Sequence, residues 1–266
     1  MSRVPILFAY WEGFTQSGPA PFTAPPLHAT PSFVDVVAIA FAVPGDNSTI
    51  ITDFIVSNNN TKADIIKDTQ TLQSRGQKVV ISINGNDKVP WGTLRPTVFA
   101  ESIYKLSQEW KLDGIDLDNE TWGPVPGQHF ADVINAIRNK MGNDFIITYP
   151  AYQGAPRDDF LKVAHKDLTY VMTMAYWQDY ASAVQMFQYY KQLIGGPEKL
   201  MIGIKPGKYG ANQSTPEGDV PKIVAYKPNK GEKAGIMLYS LSLDYQRYTG
   251  KDRYHWTNWV NKTLKN

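Results

Sequence analysis

Cysteine is absent from the 266 residues, which removes disulfides and thiolate metal sites and leaves the fold to packing alone. That absence fits the cytosol without excluding secretion. Long apolar runs are missing too: no stretch approaches the roughly 18 residues that a bilayer-spanning helix needs, so a soluble protein with no membrane partner is expected. The opening MSRVPILFAYWEGF has one Arg, a short apolar run and no small-residue cleavage site. It is too slight for a secretory signal and reads as a first strand, which favours a cytoplasmic location over a secreted one. Charge of one sign is lacking, since 27 basic residues against 25 acidic leave +2. With no Lys/Arg run to follow a phosphate backbone, nucleic acid is not an expected partner. No G-x-G-x-x-G follows the first strand, which argues against a dinucleotide site. His28, His129, His165 and His255 show no H-x-H or H-E-x-x-H spacing, so no metal and no other cofactor is expected.

What is present points to one α/β domain. Eight short apolar runs recur, at 4–10, 36–43, 78–83, 114–118, 145–149, 170–176, 200–204 and 234–241. Each has the length of a strand buried on both faces. Between them lie segments with helical spacing at 61–75, 97–111, 128–141, 181–194 and 252–264. In the first, Thr61 is a plausible cap, Gly76 a stop, and Ile65, Ile66, Thr69 and Leu72 lay one face on a sheet. Alternating strand and helix signal a parallel α/β fold. Eight strands in a chain of this length favour a single (β/α)8 TIM barrel over residues 1–266, expected to act as a monomer. Two proline- and glycine-dense stretches, 15–32 and 205–232, read as long irregular loops. The aromatic share of 12% suits either a sugar groove or an aromatic-rich core, and composition does not separate the two.

One strand carries chemistry. In DGIDLDNE, Asp116, Asp118 and Glu120 alternate with Ile115 and Leu117. On a strand of period two, the acids share one face and the aliphatics the other. Inside a barrel the aliphatics meet the helices and the carboxyls climb toward the mouth. Stacked acids that lose hydration repel one another, so some hold protons at neutral pH. That makes sense where one is a general acid and a proton is shared below it. An exposed acidic turn or a divalent-metal site is the alternative. Both are disfavoured, because the alternation continues an apolar strand and no further acid or His supplies the missing ligands.

DGIDLDNE resembles the D-G-x-D-x-D-x-E signature of glycoside hydrolase family 18, which contains chitinases and endo-β-N-acetylglucosaminidases. KVVISINGN (78–86) is similar to the family's third-strand S-x-G-G motif, with Asn84-Gly85-Asn86 departing from the paired glycine. VMTMAYW (171–177) resembles the sixth-strand M-x-Y-[DN] motif, with Trp177 in the last place. AGIMLYSLSLD (234–244) is similar to the eighth strand, where chitinases generally carry Trp and this chain has Tyr239. FAYWEGF (8–14) resembles the first strand.

The resemblance implies substrate-assisted catalysis, in which the sugar's own N-acetyl oxygen is the nucleophile. It makes Glu120 the proton donor and later the base, Asp118 the partner of the acetamido N–H, Asp116 a proton-sharing group beneath Asp118, and Tyr176 a donor to the acetamido oxygen. Asp113 is expected to be structural. Tyr10 and Tyr239 become wall and floor around the same sugar, and Ser82, Met174 and Tyr149 complete the expected substrate-binding set. Trp11, Trp91, Trp122 and Trp177 are placed by the same reading either against neighbouring sugars or in loop packing. The implied partners are chitin, chitooligosaccharides or N-glycans, with a chitinase favoured over an endo-β-N-acetylglucosaminidase. A catalytically silent sugar-binding relative is the rival class, although such proteins typically lose the Glu or Asp that this chain retains. An unrelated metal-dependent hydrolase on the same barrel is the other.

Overall fold

The apolar runs form strands because Val, Ile and aromatic side chains suit a pleated surface buried on both sides. The computed structural model describes residues 5–14, 23–53, 55–56, 60–85, 91–120, 127–152, 157–207, 214–245 and 252–265. Its strands are β1 (Ile6–Glu12), β2 (Val36–Gly45), β3 (Thr49–Ile51), β4 (Lys78–Asn84), β5 (Gly114–Asp118), β6 (Ile146–Ala151), β7 (Tyr170–Thr173), β8 (Leu200–Ile204) and β9 (Gly235–Leu238). The short β3 runs antiparallel to the end of β2. The other eight are parallel in the order β1-β9-β8-β7-β6-β5-β4-β2, and β1 also pairs with β2, so the sheet closes. The chain is a (β/α)8 barrel.

Helices α1 (Lys62–Ser74), α2 (Pro96–Trp110), α3 (Gly127–Met141), α4 (Leu161–Ala164), α5 (Tyr180–Ile194), α6 (Val220–Ala225), α7 (Leu241–Tyr245) and α8 (His255–Leu264) flank the barrel or close its ends. Local chemistry fixes their limits. Thr61 and Asp64 form a reciprocal capping box at the start of α1, and Gly76 follows its end at φ +86°. Asp179 caps α5 by accepting from Ser182 N at 2.8 Å, and Gly195 ends it in the left-handed region. No helix among the described residues is long and apolar enough to cross a membrane.

Three sequence expectations change. The stretch 205–232 is not loop throughout: Val220, Ile223 and Val224 bury one face of α6, and Pro221 sits in its first turn, where a missing N–H does no harm. The run 234–241 leaves the sheet at Leu238 and turns into α7, and the run 170–176 leaves it at Thr173. Residues 15–22 lie outside the described set. The rest of that first connection holds only a 3-10 turn at Leu27–Ala29.

Strand alternation divides the protein into two layers. On β1, Leu7, Ala9 and Trp11 face the helices while Phe8 and Tyr10 face inward. On β5, Ile115 and Leu117 join the outer core, as the alternation in the sequence requires. The outer layer is rich in Ile, Leu, Val and Phe. The interior is built from Phe8, Val80, Met172, Met201 and Met237 below, and from tyrosines and carboxyls above.

Candidate active site

The carboxyl ladder on β5 rises through the interior to a pocket of about 290 Å³. At its base Asp116 is fully buried. It accepts hydrogen bonds from Tyr10 Oη at 2.8 Å, Ser82 Oγ at 2.7 Å and Thr148 Oγ1 at 2.5 Å. The register explains this convergence, because Ser82 and Thr148 are the direct neighbours of Asp116 on β4 and β6. Burial raises the Asp116 pKa, and the three hydroxyls oppose it by stabilising the carboxylate.

One step up, Asp118 neighbours Asn84 on β4 and accepts from Asn84 Nδ2 at 2.8 Å through Oδ2. Its Oδ1 is buried without a hydrogen-bond partner. Burial pushes Asp118 well above the usual carboxylate range, and the charges of Glu120 and Asp116 push it further. A hydrogen bond joins the Asp118 carboxyl to that of Glu120 above it. Glu120, just beyond the strand, stands exposed at the mouth. Partial burial of its carboxyl raises its pKa, while the neighbouring Asp118 carboxyl and the positive charge of Lys205 act the other way.

The wall of the pocket is aromatic. Tyr176 and Tyr239 stack with centroids 5.4 Å apart and planes inclined by 24°, and Tyr10 meets the edge of Tyr239 at 5.4 Å. Among the described residues, the hydroxyl of Tyr176 reaches only the sulfur of Met237, at 3.5 Å. Tyr239 Oη is committed to Glu12 Oε1 at 2.8 Å. Met174, Pro150, Tyr152 and Trp177 complete the rim with Lys205. Trp177 is 40% exposed and packs edge-on against Tyr152. A large indole left open beside a polar cleft suits stacking on a ligand.

Of the residues singled out in the sequence, Tyr10, Asp118, Glu120, Met174, Tyr176, Trp177 and Tyr239 meet around this pocket. Ser82 and Asp116 lie beneath it and support it. Trp11 and Tyr149 belong elsewhere. Each occupies the alternate position of its strand and faces the helices, where Trp11 Nε1 donates to the Pro25 carbonyl at 2.8 Å and Tyr149 Oη to Asp158 Oδ1 at 2.7 Å. Trp91 is also in the outer core, wedged against Phe99 and Phe130. A side chain at Gly85 would collide with its indole. Trp122 lies outside the described residues. Asp113 holds the foot of the barrel, accepting from Lys78 Nζ and Val79 N at 2.9 Å each.

Sequence reading passed over Glu12, Asn84 and Lys205 as site residues. Two of them carried a signal. Glu12 follows Tyr10 by two and so shares its inward face, and Lys205 follows β8 directly, at the end of the barrel where side chains reach the mouth.

The same fold recurs in solved structures. A protein of Streptomyces coelicolor assigned as chitinase A is 21% identical and superposes with a TM-score of 0.79 over 98% of each chain. A family 18 chitinase from Chromobacterium violaceum is 19% identical, with a TM-score of 0.75 over 98% of this chain and 84% of that one. A variant endo-β-N-acetylglucosaminidase from Cordyceps militaris, complexed with fucosyl-N-acetylglucosamine-Asn, is 16% identical, with a TM-score of 0.73 over 100% and 92%. At these identities the likeness is one of fold. The sequence model of the family described as glycosyl hydrolases family 18 matches residues 6–263, nearly the whole barrel. The chain therefore belongs to family 18 of the glycosyl hydrolases.

Proposed function

We propose that this glycoside hydrolase is a retaining enzyme that cleaves β-1,4 bonds between N-acetylglucosamine units, with chitin and chitooligosaccharides as substrates. The observation that carries the reading is the joint placement of a bare carboxyl oxygen on Asp118, the Glu120 carboxyl and the nearly unpartnered Tyr176 hydroxyl around one pocket. The three complement an acetamido group beside a glycosidic bond. Asp118 Oδ1 accepts the acetamido N–H, and the Tyr176 hydroxyl donates to the acetamido oxygen. Between them they aim that oxygen at the anomeric carbon. As it attacks, Glu120 gives its proton to the leaving glycosidic oxygen, and the positive charge on the oxazolinium ring is stabilised by Asp118. In the second step Glu120 takes a proton from water, which opens the ring with overall retention. Asp116, fixed by its three hydroxyl donors, holds negative charge under Asp118 and needs no contact with the sugar.

Cleavage of the chitobiose core of N-glycans is the second reading. It is favoured by Tyr239, where chitinases generally carry Trp, and solved relatives of both kinds share this fold. Chitotetraose and a high-mannose glycopeptide, assayed side by side with product analysis, separate the two. Glu120→Gln is expected to remove turnover of whichever is cleaved, by about a thousandfold or more, with an unchanged circular dichroism spectrum. Near-normal turnover in that variant would defeat the mechanism.

A further inference from the structure

Lys205 is the first residue after β8, and its backbone is clamped. Its N–H donates to Thr215 Oγ1 at 3.0 Å, Thr215 N donates to its carbonyl at 3.0 Å, and Thr215 Oγ1 donates to the Tyr176 carbonyl at 2.8 Å. Thr215 thus ties the segment after β8 to the one after β7, so the positions of Lys205 and Tyr176 are set together. The Lys205 side chain lines the pocket, with Nζ 5.5 Å from the centroid of the Tyr239 ring. Behind that ring lies Glu12, 2% exposed, whose two carboxyl oxygens accept from the hydroxyls of Tyr239 and Ser240. The ammonium therefore feels two carboxyls, Glu12 and Glu120, and forms no direct ion pair with a carboxyl among the described residues.

We propose that Lys205 is a positioning residue for Glu120, a cation that stabilises the carboxylate left when Glu120 has given up its proton and so lets the same group act next as a base. The proposal rests on the reading of Glu120 as proton donor.

The need for such a cation follows from what else lines the pocket or lies just behind it. From β1 come Tyr10 and Glu12, from β5 Asp116 and Asp118, and from the ends of β7 and β9 Tyr176 and Tyr239. The tyrosines are held protonated by burial and bring no positive charge. The acids bring only negative charge. A donor partly buried in this company is pushed by the loss of hydration toward permanent protonation, which suits the first step and stalls the second. Lys205 is the single cation lining the pocket among the described residues, and its charge opposes the push alongside the hydrogen bond from Asp118.

The test is the pH dependence of kcat/KM on a fluorogenic chitooligosaccharide for wild type, Lys205→Met, Lys205→Gln and Lys205→Arg, with melting curves to show that each folds. Loss of the cation leaves Glu120 harder to ionise, so the alkaline limb is expected to move to higher pH by about one unit in the Met and Gln variants. In both, kcat should fall further than KM rises, because the cation acts after proton transfer has begun. Arg keeps the charge and should hold the limb near its wild-type place. An unmoved limb in both folded neutral variants, or an Arg variant displaced as far as they are, overturns the proposal. Glu120→Gln run alongside separates the two levels. If it is inactive while the limb stays put in the Lys205 variants, only the role of Lys205 falls. If it is active, the donor assignment falls first.

Discussion

Two buried carboxyls in this barrel are treated in opposite ways. Asp158, in the outer layer, accepts from the Tyr149 hydroxyl at 2.7 Å and from the Tyr190 hydroxyl, so it joins the end of β6 to α5. Asp118, in the interior, has one oxygen held by Asn84 and the other bare, with two further carboxyls as neighbours on its own segment. An unpaired buried polar group weakens a fold by about 1–3 kcal/mol, and at Asp118 only the bonds to Asn84 and to the Glu120 carboxyl stand against that cost. The same division runs through the whole molecule. Between strands and helices, aliphatic and aromatic side chains interlock and the buried acid Asp158 is matched, although the indole nitrogens of Trp91 and Trp110 find no partner among the described residues. Inside, toward the mouth, stability is given up to keep acids and hydroxyls ready for a ligand.

The sharpest way to break that comparison is Asp118→Asn. The variant should lose about a hundredfold or more in kcat/KM, because a neutral amide cannot stabilise the charge on the oxazolinium ring. It should also melt higher than wild type at pH 7, by about 2 °C or more. The sign follows from linkage. Burial raises the folded pKa of Asp118, so the unfolded chain ionises first as pH climbs, and stability present below about pH 4 is lost through the interval up to the folded value. Asn escapes that loss, and the two melting temperatures should converge below about pH 4. A variant that melts lower at pH 7 would show that Asp118 supports the fold, and the contrast with Asp158 would collapse.

Ile115→Ala probes the other layer three residues away. Ile115 is fully buried in the outer core, and removing its branched side chain should lower the unfolding free energy by about 3 kcal/mol in urea titrations. KM should stay within about twofold of wild type, since the side chain faces away from the pocket. A large change in KM at modest loss of stability would mean that the two layers are less independent than their packing implies.

How much of this was legible in the sequence follows the same line. The alternation in GIDLDNE placed Ile115 and Leu117 outside and the acids inside without any knowledge of the fold, and the barrel followed from eight such runs. Trp11 and Tyr149 are each one step out of phase with the inward positions of their strands, so alternation places them against the helices whatever their residue type suggests. Glu12 and Lys205 were passed over for a different reason. The partners of Glu12, Tyr239 and Ser240, lie more than 220 positions along the chain, and Lys205 gains meaning only from the ring and carboxyls that closure of the barrel brings beside it. Helix α6 was hidden by the prolines and glycines around it. Pattern along the chain reveals which face a residue takes, whereas charge environment depends on closure.

A matched pair of small changes tests the division most directly. Tyr149 and Tyr10 each donate a hydroxyl to a buried aspartate, at 2.7 Å to Asp158 and at 2.8 Å to Asp116, one in each layer. Phenylalanine at either place deletes one oxygen and keeps the ring. Loss of one buried hydrogen bond amounts to about 1 kcal/mol, or a fall of about 2–4 °C in melting temperature for a chain of this size. For Tyr149→Phe that should be the whole effect, with kcat/KM unmoved, because Asp158 sits in the outer layer and does not line the pocket. For Tyr10→Phe the balance should reverse. Asp116 keeps two of its three donors, from Ser82 and Thr148, so the fold barely softens. The charge beneath Asp118 is less firmly held, and kcat/KM should drop by about tenfold, the equivalent of 1.4 kcal/mol. Equal melting shifts with equal activities in the two variants would show that a hydroxyl beside a buried acid means the same thing in both layers, and the distinction between them would rest on Asp118 alone.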